Sequence, residues 1–94
     1  MLVLAVLMAV AASPAHGTEI YWTGAGTSYN WSEPANWSSN STPEANDDVI
    51  FTQATSKDAV IDERFGGEVN RLKVDGYLGK IFLRKKIKIN NLSI

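Results

Sequence analysis

From Asp48 onward the chain is a string of short apolar runs, each closed by turn-forming residues. The runs are Val49-Ile50-Phe51, Ala59-Val60-Ile61, Val69 to Val74, Ile81 to Leu83, Ile87 to Ile89 and Leu92 to Ile94. β-Branched and aromatic residues dominate them, and that bias predicts strands. Gly66-Gly67, Asp75-Gly76 and Asn90-Asn91 stand between runs, at places suited to sharp corners.

The phase of the pattern carries more information than its composition. Ile81 and Leu83 alternate with Lys80, Phe82 and Arg84, and Ile87 and Ile89 alternate with Lys86 and Lys88. The phase then slips at Asn90-Asn91, so that Leu92 and Ile94 become the apolar pair. A slip of one residue sends every later side chain to the other face unless the chain turns there. Asparagine tolerates the left-handed conformation of a tight corner, so Asn90-Asn91 is expected to separate two short strands. Short strands joined by tiny corners suit a solenoid better than a stack of hairpins. In a parallel β-helix each coil holds two or three such strands and needs neighbours to bury its face. Ile94 falls within an apolar strand, and an open edge there would invite aggregation in a finished domain. Further coils of a longer chain are therefore expected. The rival architecture is a small β-sandwich complete in itself.

Size and charge narrow the functional classes. The 94 residues amount to one small domain, which buries too little surface to be very stable alone. There is no cysteine, so neither a disulfide nor a thiolate site is available. With 9 basic and 10 acidic residues the net charge is -1, which gives no field for gathering nucleic acid or anionic lipid. A lone histidine, His16, cannot build a metal cluster.

Residues Leu2 to Ala12 are apolar without interruption. A mature membrane helix needs about 20 residues, so this run fits the core of a signal peptide instead. Small residues follow, and cleavage after Ala15 or after Gly17 satisfies the small-x-small rule. No Lys or Arg precedes the run, which departs from the usual leader. The rival reading, a buried apolar helix, lacks any evident sequence to cover it. The expected division is a leader over 1–17, a Trp/Gly/Asn-rich cap over 18–46 and the first coils over 47–94. The mature chain is expected to lack a transmembrane helix and to be secreted or held at the cell surface.

The segment after the leader has little apolar periodicity, and no helix of ordinary length is predicted there. It contains Tyr21-Trp22-Thr23-Gly24-Ala25-Gly26, then Asn30-Trp31-Ser32 and Asn36-Trp37-Ser38, then Pro43 and Asp47-Asp48-Val49-Ile50-Phe51. This series resembles the opening motif of large secreted bacterial proteins, including autotransporter-type adhesins: W-x-G-x-G, N-W-S, N-W, and a closing D-x-V-x-F. Gly76-Tyr77-Leu78-Gly79-Lys80-Ile81 is similar to the G-Y-x-G-x-I step of their repeats. The likeness spans about residues 20 to 94. It implies an all-β fold, an N-terminal cap followed by the first coils of a right-handed parallel β-helix. It also implies a non-enzymatic role in adhesion or surface architecture. Such openings precede many different passengers, so the likeness speaks for architecture more than for activity. A cap makes physical sense, because the first coil of a solenoid has an apolar end to cover and indoles supply area.

Candidate chemistry is sparse. Tyr21, Trp22, Trp31 and Trp37 could form a platform for sugar rings, as in a carbohydrate-binding module or the front of a β-helix polysaccharide-degrading enzyme. Their bulk suits a core or cap better. Glu44, Asp47 and Asp48 lack the spacing of a calcium loop and read as strand-start capping. Asp58, Asp62, Glu63 and Asp75 are scattered, and no catalytic residue, metal site or cofactor is expected. The run Arg84-Lys85-Lys86-Ile87-Lys88 reads as the solvent face of strands and not as a polyanion site. Asn30, Asn36, Asn40 and Asn91 each begin N-x-S/T, and Asn-Trp-Ser reads as cap structure in a bacterial chain. The expected partners are the remainder of the chain itself and glycans or other cell-surface components.

Overall fold

The computed structural model describes residues 17–94, so the expected leader lies outside the described residues but for Gly17. The strands are β1 Glu19–Tyr21, β2 Asp48–Thr52, β3 Ala59–Ile61, β4 Glu68–Asp75, β5 Ile81–Leu83 and β6 Lys88–Ser93. Each predicted run meets a strand, the last two sharing β6 with Ile87 and Ile94 just outside it, and the described fold is all-β. Between β1 and β2 the one helical element is a 3-10 turn, Pro34–Asn36. β1 was not anticipated, since a three-residue strand with one inward residue, Ile20, carries almost no periodic signal.

From β2 onward the chain alternates between two sheets. One has the order β1-β2-β4-β6 and the other pairs β3 with β5. Every pairing between these strands is parallel. Ile20 lies beside Val49, Val49 beside Leu72, and Leu72 beside Leu92. The chain thus regains its place in the first sheet after 23 and then 20 residues. In the second sheet Val60 lies beside Phe82, and an isolated parallel bridge sets Asn30 beside Val60. Parallel neighbours cannot be joined by a two-residue hairpin and need a crossover, which is usually a helix. From β2 onward the crossover here is a strand of the opposite sheet. The hairpinned antiparallel pairs of a β-sandwich are absent among the described strands, so that rival is set aside.

Gly67 at φ 98° and Gly76 at φ 79° occupy the predicted corners in conformations that other residues rarely adopt. Asn90-Asn91 corrects the prediction. β6 runs through it unbroken, and among the described residues only Asn40, at φ 57°, is non-glycine with positive φ. The phase slip is absorbed within the strand. β4 slips in the same way: Val69 and Leu72 are both buried although three positions apart. There the Asp47 carbonyl accepts from Asn70 N–H at 2.9 Å and from Arg71 N–H at 3.4 Å, two residues facing one, which is the arithmetic of a bulge. Asparagine serves these places through its amide. Asn70 Nδ2 donates to Asp48 Oδ1 at 2.8 Å, and Asn90 Nδ2 reaches Asn70 Oδ1 at 3.5 Å. The ladder runs across β2, β4 and β6.

The core lies between the sheets. Val49 and Phe51 of β2, Ala59 and Ile61 of β3, and Val69 and Leu72 of β4 are buried with Ile20, Phe65 and the three tryptophans. Exposure grows toward the last rungs, where Leu83 is 62% and Leu92 60% exposed.

Candidate functional site: the aromatic plug

The three indoles converge on Phe51. Trp22 and Trp31 stack on its ring at centroid distances of 5.6 and 5.7 Å, and Trp37 meets it edge-on at 6.1 Å. Trp37 also meets Trp22 and Trp31 edge-on, at 5.1 and 5.3 Å. Offset and edge-to-face pairs of this kind add to the hydrophobic gain of burial. Trp22 Nε1 donates to the Lys57 carbonyl and Trp37 Nε1 to the Trp31 carbonyl, whereas Trp31 Nε1 finds no acceptor.

The two Asn-Trp-Ser copies dock on different sheets. The first docks on β3: Trp31 N–H donates to the Val60 carbonyl, and Ser32 donates to Asp62 through N–H at 2.9 Å and Oγ at 2.6 Å. The second docks on β1: Ser38 N–H donates to the Tyr21 carbonyl, and Tyr21 N–H to Ser38 Oγ, both at 2.9 Å. The outer edge of β1 is thereby paired by Trp37-Ser38. Asn36 is fully buried between them. Its Nδ2 donates to the Ser28 and Asn30 carbonyls, both at 3.0 Å, and its Oδ1 accepts from Gly26 N–H at 2.8 Å. Asn36 thus ties the loop of residues 23–30 onto the plug. A buried amide with these partners is not an attachment point for a glycan.

Carboxylates clip the loops. Glu33 accepts from Ser28 Oγ and from the Ser28 and Thr27 N–H groups, and these bonds hold its pKa at about 2. Burial works against the charged form of Asp62, but the hydrogen bonds from Ser32 and Arg64 N–H outweigh it and hold the carboxyl below its usual range. Asp47 accepts from Thr18 and Glu44 N–H groups, the capping role expected of it. Lys57 Nζ donates to the Gly24 and Gly26 carbonyls, both at 2.9 Å, and closes the loop from the other side.

This geometry corrects the sugar-platform reading. Trp22, Trp31 and Trp37 are 2%, 0% and 1% exposed, so none of them offers a face to a ligand. Tyr21 is exposed but stands apart from them on β1. The aromatic rings that do reach solvent include Tyr29 and Phe82, which sequence reasoning passed over. Phe82 occupies the polar phase of its strand, and that mismatch was the available signal. The basic run is spent in part on structure: Lys85 Nζ donates to the Phe65 carbonyl at 2.7 Å, and Lys88 pairs with Glu68 at 3.9 Å. No helix among the described residues is long and apolar enough to cross a membrane. Comparison with protein-family models, curated proteins and solved structures finds no match for this chain.

Proposed function

We propose that the chain is the N-terminal cap and first coils of a right-handed parallel β-helix. Its role is to start and display the solenoid of an exported bacterial surface protein. The observation that carries this reading is the asymmetry of the two ends. At the front, Trp37-Ser38 pairs with the edge of β1 and three indoles fill the space behind it. At the rear, Leu83 beside buried Ile61 and Leu92 beside buried Leu72 face the same side as those partners yet stay exposed, and a following coil would cover them. A solenoid needs one sealed end from which its rungs can stack. The preference of parallel crossovers for one hand supplies the right-handed winding. The role is mechanical, since a rigid stack holds a binding surface away from the cell, and it requires no catalytic residue.

Export is tested with the whole chain fused to a reporter enzyme that is active only outside the cytoplasm. The fusion is expected to be active, to lose activity when residues 2–12 are deleted, and to be cut after Ala15 or Gly17 as read by mass spectrometry. An uncut, cytoplasmic fusion would overturn the surface role.

A further inference from the structure

We infer that the outer face of the second sheet holds a groove for a neutral oligosaccharide, an inference that rests on the adhesion reading and gives it a ligand. Asn30, Val60 and Phe82 occupy successive rungs of that sheet. Rungs lie about 4.8 Å apart, so Tyr29, next to Asn30, and Phe82 stand roughly two rungs from each other. Tyr29 is 56% and Phe82 47% exposed, with half-buried Val60 between them. Two adjoining hollows of about 540 and 470 Å³ share Tyr29, Val60 and Arg84 as walls. Lys57 Nζ, held by the loop carbonyls, lies 5.2 Å from the centre of the Tyr29 ring and steadies it.

The rim decides the class of ligand. A sugar presents an apolar C–H face for stacking and hydroxyls that both donate and accept. The groove supplies rings for the first, and for the second Arg64 and Arg84 as donors and Glu63 as acceptor. Among the described residues the one ion pair is Lys88 with Glu68, so these three charges are not spent on each other. Asp62 belongs to the Ser32 clip, and Asp58 Oδ1 accepts from Lys80 N–H at 2.9 Å. Two cations face three carboxylates across the two hollows, which gives no attraction for an anionic polymer. An extended peptide would add to a strand edge, whereas this groove lies on the face of the sheet.

The test is a printed array of neutral gluco-, manno-, galacto- and xylo-oligosaccharides beside matched uronic-acid oligomers, probed with the whole purified chain. Binding to a neutral oligosaccharide is expected, weakened at least tenfold by Phe82→Ala and by Tyr29→Ala and kept by Phe82→Tyr. Tyr21→Ala, an exposed ring outside the groove, is expected to leave binding unchanged. Near-ultraviolet circular dichroism of the buried indoles confirms that each variant is folded. No neutral ligand, a preference for uronates, or equal loss in Tyr21→Ala would overturn the inference. The reporter assay reads export separately, so the two failures are distinguishable.

Discussion

Asn36 shows how one side chain can hold a loop that has no sheet of its own. Its amide meets three backbone groups, and its carbonyl accepts from Thr23 and Gly24 N–H groups. Asn36→Ala removes the side-chain bonds and leaves buried partners unmet, each costing about 1–3 kcal/mol. The variant is expected to shift the urea midpoint downward, and an unchanged midpoint would show that the loop does not depend on the amide. Truncating a buried indole is harsher: Trp31→Ala should cost about 3–5 kcal/mol, a large part of what a small domain possesses. The carboxylate clips make the loops they hold acid-sensitive. Glu33 is held at about 2 against an ordinary 4.5, and Asp62 is also lowered from 3.8. A lowered folded pKa contributes stability that is full above the ordinary value and drains as pH falls toward the folded one. Melting temperature is therefore expected to fall between about pH 4.5 and pH 2, and to fall less in Glu33→Gln. Equal acid sensitivity in that variant would remove Glu33 from the account.

At the scale of elements, the corner between β4 and β5 gives physical content to Gly76-Tyr77-Leu78-Gly79-Lys80-Ile81. Gly76 turns the chain with positive φ. Tyr77 then folds inward, its ring 4.9 Å from Phe51, and its hydroxyl donates to the Lys57 carbonyl at 2.6 Å. Burial, with Asp58 nearby, pushes that hydroxyl up to about 12, so it stays a donor at any ordinary pH. Gly79 lets the corner close: a Cβ there would collide with the Tyr77 hydroxyl and lie 2.6 Å from the Ser56 carbonyl. Gly79→Ala is thus expected to destabilise by about 1–3 kcal/mol, the usual range for overpacking. Tyr77→Phe should lose about 0.5–1.5 kcal/mol for one hydrogen bond. Chemical denaturation of both variants checks the order, and a neutral Gly79→Ala would mean that the corner has room to spare.

For the whole molecule, the proposed stack makes stability follow position. β2 and β4 each have strands on both sides, β1 is backed by the cap, and β6 has β4 alone. Rungs of a linear stack open from the less supported end. Amides of β2 and β4 are expected to exchange slowest in native-state hydrogen exchange and those of β6 fastest, with β1 between. Exchange from β1 ahead of β6 would contradict a sealed front.

Strand identity was readable from the chain alone, because β-branched runs such as Val49-Ile50-Phe51 and corners such as Gly66-Gly67 are local choices with local causes. The parallel direction of the strands was also foreshadowed, since tiny corners with phase slips leave little scope for hairpins. What Asn90-Asn91 does was not readable. A left-handed corner and a cross-strand amide ladder ask for the same residue, and the neighbouring strand alone decides between them. The same holds for the aromatics. The bulk of Tyr21, Trp22, Trp31 and Trp37 favoured a core, but their sequence did not say which ring would be sealed and which left in water. Three indoles are buried because Phe51 and Phe65, farther along the chain, meet them, and Phe82 is exposed because it lies beside Val60, on the face opposite buried Ala59 and Ile61. Contacts between residues far apart in the chain are set by how the two sheets pair and pack, and that is a property of the folded molecule.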